Sequence, residues 1–128
     1  MADSENIVLD IRNLSKNYGD VKAVKDVSFQ VKRGEIFGLL GPDGAGKSST
    51  MNLFMGLLKP DKGSITFLDK NILNPRESAV MRTKVGYMAQ GLGLILTPNL
   101  SVAENIDYFA DMYQVPSDER KRMKDDLF

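Results

Sequence analysis

The chain has 128 residues, the length of one domain or less, and 42% of them are hydrophobic, which is enough for a folded core. Its 17 Lys and Arg balance its 17 Asp and Glu, so no net charge favours nucleic acid or an acidic membrane surface. The absence of cysteine and histidine excludes disulfides, cysteine–metal sites and a histidine general base.

The N-terminus shows no targeting pattern. Its first six residues, MADSEN, are polar and acidic, unlike a signal peptide. No apolar run has the length needed to cross a bilayer. These features favour a soluble, cytoplasmic chain.

Three strands are predicted in the first 40 residues. Residues 7–14 alternate apolar and polar side chains, which is typical of a half-buried strand. Residues 27–31 alternate in the same way and predict an antiparallel strand. Residues 36–40, IFGLL, are almost continuously apolar, which predicts a strand buried on both faces.

A phosphate-binding motif follows directly at residues 41–50, GPDGAGKSST, which fit the pattern G-x-x-x-x-G-K-[ST]. Its glycines let the backbone take positive φ angles and approach a phosphate, and its N–H groups converge on the anion. Lys47 can reach the outer phosphates, and the Ser48 hydroxyl can ligate Mg²⁺. The residues predicted to contact the nucleotide phosphates are Gly41, Gly44, Ala45, Gly46, Lys47, Ser48 and Ser49.

The context of this motif argues against a chance glycine-rich turn. A predicted strand precedes it, and Met51, Phe54, Met55 and Leu58 recur after it at helical spacing. We expect Met51 and Met55 to pack in the core. Strand, glycine loop and helix in this order is the arrangement that a phosphate loop requires.

A strand, a helix and another strand are predicted next. Residues 59–63, KPDKG, form a strong breaker, and a short strand follows around Ile65. Pro75 suits the first turn of a helix that continues to about residue 84. Residues 85–88 predict a further buried strand, which ends at Gln90.

A loop and two helices are predicted for the remaining residues. Residues 91–100 are rich in glycine and apolar side chains and form the loop. Ser101 and Glu104 fit a capping box, which predicts the start of an amphipathic helix. Ser117 starts the last predicted helix.

Together, these residues resemble the ATP-binding domain of ABC transporters. Tyr18, in a turn after the first strand, matches the aromatic residue that stacks on adenine, and Gln90 matches the glutamine of the Q-loop. Residues 41–48 match the phosphate loop, and residues 96–105 look like the stretch that leads into the helical subdomain. The tract 27–40 is most similar to exporter-type members.

The resemblance implies an α/β fold with a P-loop NTPase core, an antiparallel N-terminal β-subdomain and the start of a helical subdomain. About 1–90 would be the core and β-subdomain, and about 91–128 the Q-loop and the beginning of the helical subdomain. The family's Leu-Ser-Gly-Gly-Gln signature, its Mg²⁺-organising Asp with the catalytic Glu, and its switch His are all absent. We therefore expect residues 1–128 to be a partial, truncated ABC-type nucleotide-binding domain.

Two short tracts end in an aspartate after an apolar run and could be mistaken for the missing carboxylate motif. Asp10 lies on the polar face of the first strand, and Asp69 fits turn chemistry. Both residues are therefore better explained by local structure.

The resemblance also implies a role for each site residue in an ATP hydrolase. Lys47 and Gln90 would be catalytic, since Lys47 neutralises transition-state charge and Gln90 contacts Mg²⁺ and the attacking water. Ser48 and Gln90 would hold Mg²⁺, and Tyr18 would stack on the base. Two simpler interpretations stay open: Tyr18 could be a turn aromatic resting on the sheet, and Gln90 an ordinary strand-end amide.

The implied function is MgATP binding and hydrolysis coupled to transport, with ATP and Mg²⁺ as ligands. The expected partners are a transmembrane transporter subunit and a second nucleotide-binding domain that dimerises on ATP binding, with no nucleic acid. The expected location is the cytoplasmic face of a membrane. The fragment alone is expected to bind nucleotide at most, without turnover. The alternative is a soluble ABC-type ATPase that acts on ribosomes or in assembly without a membrane partner.

Overall fold

A computed structural model of the chain describes residues 6–82, 84–88, 90 and 96–127. The chain divides into two compact units, residues 1–84 and residues 85–128. The first half of the predicted loop 91–100, residues 91–95, lies outside the described residues. The elements are β1 (Ile7–Tyr18), β2 (Val21–Lys32), α1 (Lys47–Phe54), β3 (Lys62–Phe67), β4 (Lys70–Asn71), α2 (Pro75–Arg82), α3 (Val102–Met112) and α4 (Ser117–Leu127).

The first unit is built on a four-stranded sheet in the order β2-β1-β3-β4. β1 pairs antiparallel with both β2 and β3, so it is the central strand. The predicted antiparallel β-subdomain is confirmed, but β1 and β2 are longer than the alternation indicated. Their ladder continues to the pair Tyr18 and Val21, and Gly19 takes a φ of 58° in the tight turn that joins them.

The core of the first unit lies between one face of this sheet and α1. Ile11 and Leu14 of β1, Ile65 of β3 and Leu53 of α1 are fully buried. Phe54 of α1 packs edge-to-face on a phenylalanine of β3 at a centroid distance of 5.7 Å. The helix that begins in the phosphate loop is therefore packed against the sheet.

Of the two methionines predicted to pack in the core, Met51 is exposed and Met55, the C-cap residue of α1, is half-buried. Met51 is 40% exposed, whereas the buried residues of the helix are Thr50, Leu53 and Phe54, which follow the i, i+3, i+4 stripe. Placing Met51 in the core was therefore wrong, because the stripe that faces the sheet is rotated by one position. Met51 instead borders a cavity of about 230 Å³ between α1, the sheet and residues 37–39.

The predicted buried strand at residues 36–40 is also wrong for this chain. The tract has no strand pairing, and Ile36 and Leu40 are 100% and 92% exposed. Phe37 stacks on Phe29 at a centroid distance of 4.7 Å, and Leu39 is half-buried beside the same cavity. An apolar run of this kind needs a strand on each side, and no described residue supplies one.

The strand predicted at residues 85–88 is absent for the same reason. These residues show no strand pairing in the described part of the second unit, and Met88 is 79% exposed. An apolar sequence indicates that a segment can be buried, but burial needs a neighbouring element.

The capping box at the start of α3 is confirmed. The Ser101 Oγ accepts a hydrogen bond from the Glu104 N–H at 3.3 Å, and the Glu104 carboxylate accepts from the Ser101 N–H at 2.8 Å. The Ser101 hydroxyl also donates to the Glu104 carboxylate at 2.7 Å, and this bond, followed by the one from the Ser101 N–H, lowers the pKa of Glu104. The buried Asn105 amide then ties the preceding loop to the helix through bonds to Thr97 and Leu100. The second unit therefore begins its helical part where the sequence indicated.

The helix α4 is linked to α3 by ion pairs. Lys124 and Arg120 of α4 both reach Asp107 of α3, and Arg120 also pairs with Asp111. Among the described residues, no helix is long and apolar enough to cross a bilayer.

Candidate functional site

The phosphate loop forms a tight turn that ends at the first residue of α1. Gly44 and Gly46 take φ values of 79° and 87°, in the left-handed region that favours glycine. Gly46 is the N-cap of α1 and makes no side-chain cap bond. The first-turn amides of the helix have no intrahelical acceptor, so they and the positive end of the helix dipole can hold an anion.

Gly46 is also pressed against the hairpin formed by β1 and β2. A Cβ placed on it would overlap the Ala23 carbonyl oxygen, and its next neighbours would be the Ala23 carbonyl carbon at 3.2 Å and the Val24 Cγ2 at 3.6 Å. Any residue larger than glycine would separate the loop from β2. The hairpin therefore supports the phosphate loop from one side.

The Lys47 ammonium closes the mouth of the loop. Its Nζ donates to the carbonyl oxygens of Gly41 at 2.8 Å and Pro42 at 2.7 Å. These bonds keep the ammonium beside the first residues of the motif, so that an anion inside the loop would contact both the ammonium and the backbone amides. The sequence placed Lys47 here by its spacing, and the structure adds the two carbonyls that hold it.

Two supporting residues of the loop were missed by the sequence reasoning. Thr50 is buried and donates from Oγ1 to the Gly46 carbonyl at 2.9 Å, beside the ordinary helical bond from its N–H to the same oxygen. Ala23 forms the other support. The Ser-Ser-Thr run was the available signal for Thr50, whereas nothing in the sequence marks Ala23.

Tyr18 lies at the end of the hairpin that carries Ala23. It is the last residue of β1 and pairs with Val21, the first residue of β2. Two residues before Tyr18 in β1, Lys16 pairs with Val24, the residue that neighbours Gly46. Tyr18 is 46% exposed, so its ring is available to a ligand in the same unit as the phosphate loop.

An ion pair braces the strand at this point. The Asp61 carboxylate accepts hydrogen bonds from the Lys16 Nζ at 3.1 Å and from the Asn17 N–H at 2.7 Å. The Asn17 N–H, followed by the Lys16 ammonium, lowers the pKa of Asp61. The Lys16 Nζ also lies over the Tyr18 ring, 5.9 Å from its centroid. The sequence reasoning treated Asp61 only as part of a chain breaker.

The other predicted site residues lie in the phosphate motif or in the second unit. Ser48 is exposed in the first turn of α1, and Ala45 and Ser49 flank the three consecutive defining positions of the motif, Gly46, Lys47 and Ser48. Gln90 is exposed and lies in a bend of the second unit. The role of Gln90 in the site therefore stays a prediction.

The two aspartates weighed as substitutes for the missing carboxylate are engaged elsewhere. Asp10 accepts two hydrogen bonds from the Arg12 guanidinium, and the bond from Arg12 lowers its pKa. Asp69 lies in the turn between β3 and β4 with a φ of 61°. These structural explanations agree with the sequence-based interpretation of both residues.

The residues of the phosphate loop suit a magnesium ion that arrives with a nucleotide. Within the described part of the chain, no group of three or more acidic, histidine or cysteine side chains could form a metal cage. Mg²⁺ is commonly bound by one or two protein ligands together with phosphate oxygens. The exposed hydroxyl of Ser48, beside the amides that can hold phosphate, fits that mode.

Comparisons with known proteins agree with this geometry. A family model described as ABC transporter matches residues 24–127. The ribose import ATP-binding protein RbsA of Ruegeria sp. (strain TM1040) is 42% identical over 101 residues, which are 79% of this chain and 19% of that protein. The Nod factor export ATP-binding protein I of Bradyrhizobium diazoefficiens is 41% identical over 104 residues, which are 81% of this chain and 33% of that protein.

A solved structure shows the same similarity. That of cbiO1 from Clostridium perfringens, part of the ABC transporter complex cbiONQ, has a TM-score of 0.79 and 31% identity, and the match covers 94% of this chain and 49% of that chain. The predicted fold class is therefore confirmed, and this chain spans a fifth to a third of the two curated relatives and about half of the solved one. Since the family model covers most of its residues, the chain belongs to the family of ABC transporter ATP-binding proteins.

Proposed function

We propose that this chain is the nucleotide-holding part of an ATP-binding subunit that couples MgATP binding and hydrolysis to transport across a membrane. The observation that carries the proposal is the uncapped start of α1 behind a glycine loop, with the Lys47 ammonium held across its mouth. The exposed Tyr18 ring lies on the hairpin that touches the same loop. Backbone amides and an ammonium can bind phosphates, and an aromatic ring can stack on a base, so this combination suits a purine nucleotide.

Each site residue then has a role in phosphoryl transfer. The amides of residues 44–49 hold the phosphates, and Lys47 neutralises charge that develops on the transferred group. Ser48 would hold Mg²⁺, and the resemblance assigns Gln90 to the same ion, which would offset the charge of the outer phosphates when it is bound. Tyr18 positions the base. The catalytic base and the opposing protomer's signature motif are supplied by sequence other than these 128 residues.

The partners follow from the same proposal. The chain acts with a transmembrane subunit at the cytoplasmic face of the membrane and dimerises with a second nucleotide-binding domain when ATP binds. The relatives that support this are named as ATP-binding proteins of import and export systems. Because relatives of both kinds match at similar identity, the exporter-type similarity of residues 27–40 does not decide the direction of transport.

Removal of the metal and fractionation of the membranes test the function together. We expect the intact protein to release phosphate from ATP in the presence of Mg²⁺. This release should stop when the metal is chelated, because the ion neutralises the charge of the transferred group. We also expect the protein to sediment with membranes and to be released from them without detergent. An active protein found with ribosomes, or free in the supernatant, would instead support the soluble ABC-type ATPase.

The substitution Tyr18→Ala tests the base-binding part of the site. We expect ATP and GTP to bind more weakly by a similar factor, corresponding to about 1–3 kcal/mol, because stacking contacts the face of the base and does not distinguish its edges. Calorimetric titration of both nucleotides provides the measurement. Tyr108→Ala is a matched control, since this exposed tyrosine lies on α3 in the second unit. A loss confined to ATP would show that the adenine edge is recognised and that stacking is the wrong account.

A further inference from the structure

The end of β1 that carries Tyr18 lacks the support that the rest of the strand has. The pairing of β1 with β3 ends at Ser15 and Lys62. The pairing with β2 continues, but its register shifts on both sides of Lys16. Beyond Ser15, the strand is therefore held from one side only and through an irregular ladder.

Asp61 supplies the missing support. It lies just before β3, and its N–H donates to the Ser15 carbonyl at 2.9 Å. Its carboxylate accepts from the Asn17 N–H at 2.7 Å, a backbone donor that would otherwise face away from β2 without a strand partner. A third bond joins the carboxylate to the Lys16 Nζ at 3.1 Å. One residue thus fixes three consecutive positions of β1 immediately before Tyr18.

The bond to Lys16 also determines which face of the tyrosine is open. Lys16 and Tyr18 are two residues apart on a strand, so both side chains project from the same face of the sheet. The ammonium lies 5.9 Å from the ring centroid, in the range of a cation–π contact. Because Asp61 holds that ammonium, one face of the ring is covered and the opposite face is left for a planar base.

We propose that Asp61 and Lys16 are positioning residues for nucleotide binding, which hold the Tyr18 ring so that one face is ready to stack on the purine. The inference rests on the proposed function, since it concerns the base-binding half of that site. Neither residue is expected to touch the phosphates. We therefore expect them to affect the affinity only for ligands that carry a base, and to do so through the position of the Tyr18 ring.

The test compares two ligands, ATP and inorganic tripolyphosphate, in the intact protein. We expect Asp61→Ala to weaken ATP binding by about two- to fivefold, the range typical of an exposed ion pair, and to leave tripolyphosphate binding unchanged. Lys16→Met, which leaves the bond between Asp61 and the Asn17 N–H in place, should shift ATP affinity in the same direction. Lys16→Arg should restore most of it.

A double-mutant cycle with Tyr18 distinguishes positioning from general stability. In a Tyr18→Ala background, Asp61→Ala should have no further effect on ATP binding, because there is no ring left to position. Asp10→Ala is the matched control: it removes the ion pair with Arg12 on the same strand, away from the hairpin end. It should leave the affinity for ATP unchanged.

Two results would overturn the inference: equal losses for ATP and tripolyphosphate in both variants, or additive effects of Asp61→Ala and Tyr18→Ala. Either would mean that the brace supports the fold or the phosphate loop instead of the ring. The same titrations keep the proposed function separate. If wild-type protein bound no ATP, the proposed function itself would fail. If Tyr18→Ala had no effect on an otherwise normal affinity for ATP, the stacking role of Tyr18 and this inference would fail, and the proposed function would stand.

Discussion

Gly46→Ala is expected to reduce ATP binding by about a hundredfold, the largest single effect in the site. The left-handed backbone at φ 87° costs an alanine about 1–2 kcal/mol. The new Cβ would also overlap the Ala23 carbonyl oxygen, and relieving such an overlap adds about 1–3 kcal/mol. The loop would leave the conformation that aims its amides at the phosphate. Calorimetry with ATP gives the affinity, and a thermal melt without ligand gives the stability.

Gly44→Ala is the matched control for this substitution. Gly44 has a φ of 79°, but a Cβ there meets nothing within 4 Å. It therefore has the backbone strain without the overlap, and we expect a loss of about tenfold. Equal losses for the two variants would show that the contact between the loop and the hairpin does not matter for binding.

Lys47→Ala is expected to weaken ATP binding at least about tenfold. The Lys47 ammonium is the cation held at the mouth of the loop, and a hydrogen bond to a charged group contributes about 1.5–3 kcal/mol. In the intact protein we also expect phosphate release to fall to background, because the developing charge on the transferred group loses its cation.

Lys59→Ala is the control for the loss of a positive charge. Lys59 is exposed in the loop that follows α1, outside the phosphate motif. Its removal should leave both ATP affinity and phosphate release unchanged. Wild-type affinity in the Lys47→Ala protein would refute the assignment of residues 41–48 as the phosphate loop.

The sequence predicted the parts of this molecule that depend on local chemistry. The glycine loop with Lys47 and Ser48, the capping box at Ser101, and the alternation of β1 are set by residue type and spacing, so each could be placed before the structure was known. The same holds for the fold class, which the motif and its flanking elements indicated.

The features that the sequence did not reveal depend on contacts between distant residues. Whether residues 36–40 form a buried strand depends on neighbours that the run itself cannot specify. The contact of Gly46 with Ala23 crosses 23 positions, and the bonds from Asp61 to β1 cross more than 40. The rotation of α1 that exposes Met51 is likewise decided by how the helix meets the sheet.

The exposed tract at residues 36–40 has a thermodynamic consequence for the phosphate loop. Leu40 is 92% exposed and is bonded directly to Gly41, whose carbonyl accepts from Lys47. Any element that covers this tract also restrains the entrance of the loop. Filling the loop with a ligand restrains the tract in return, because linkage between two binding events is reciprocal. Nucleotide affinity and the affinity of the covering element are therefore expected to rise together, by the same factor.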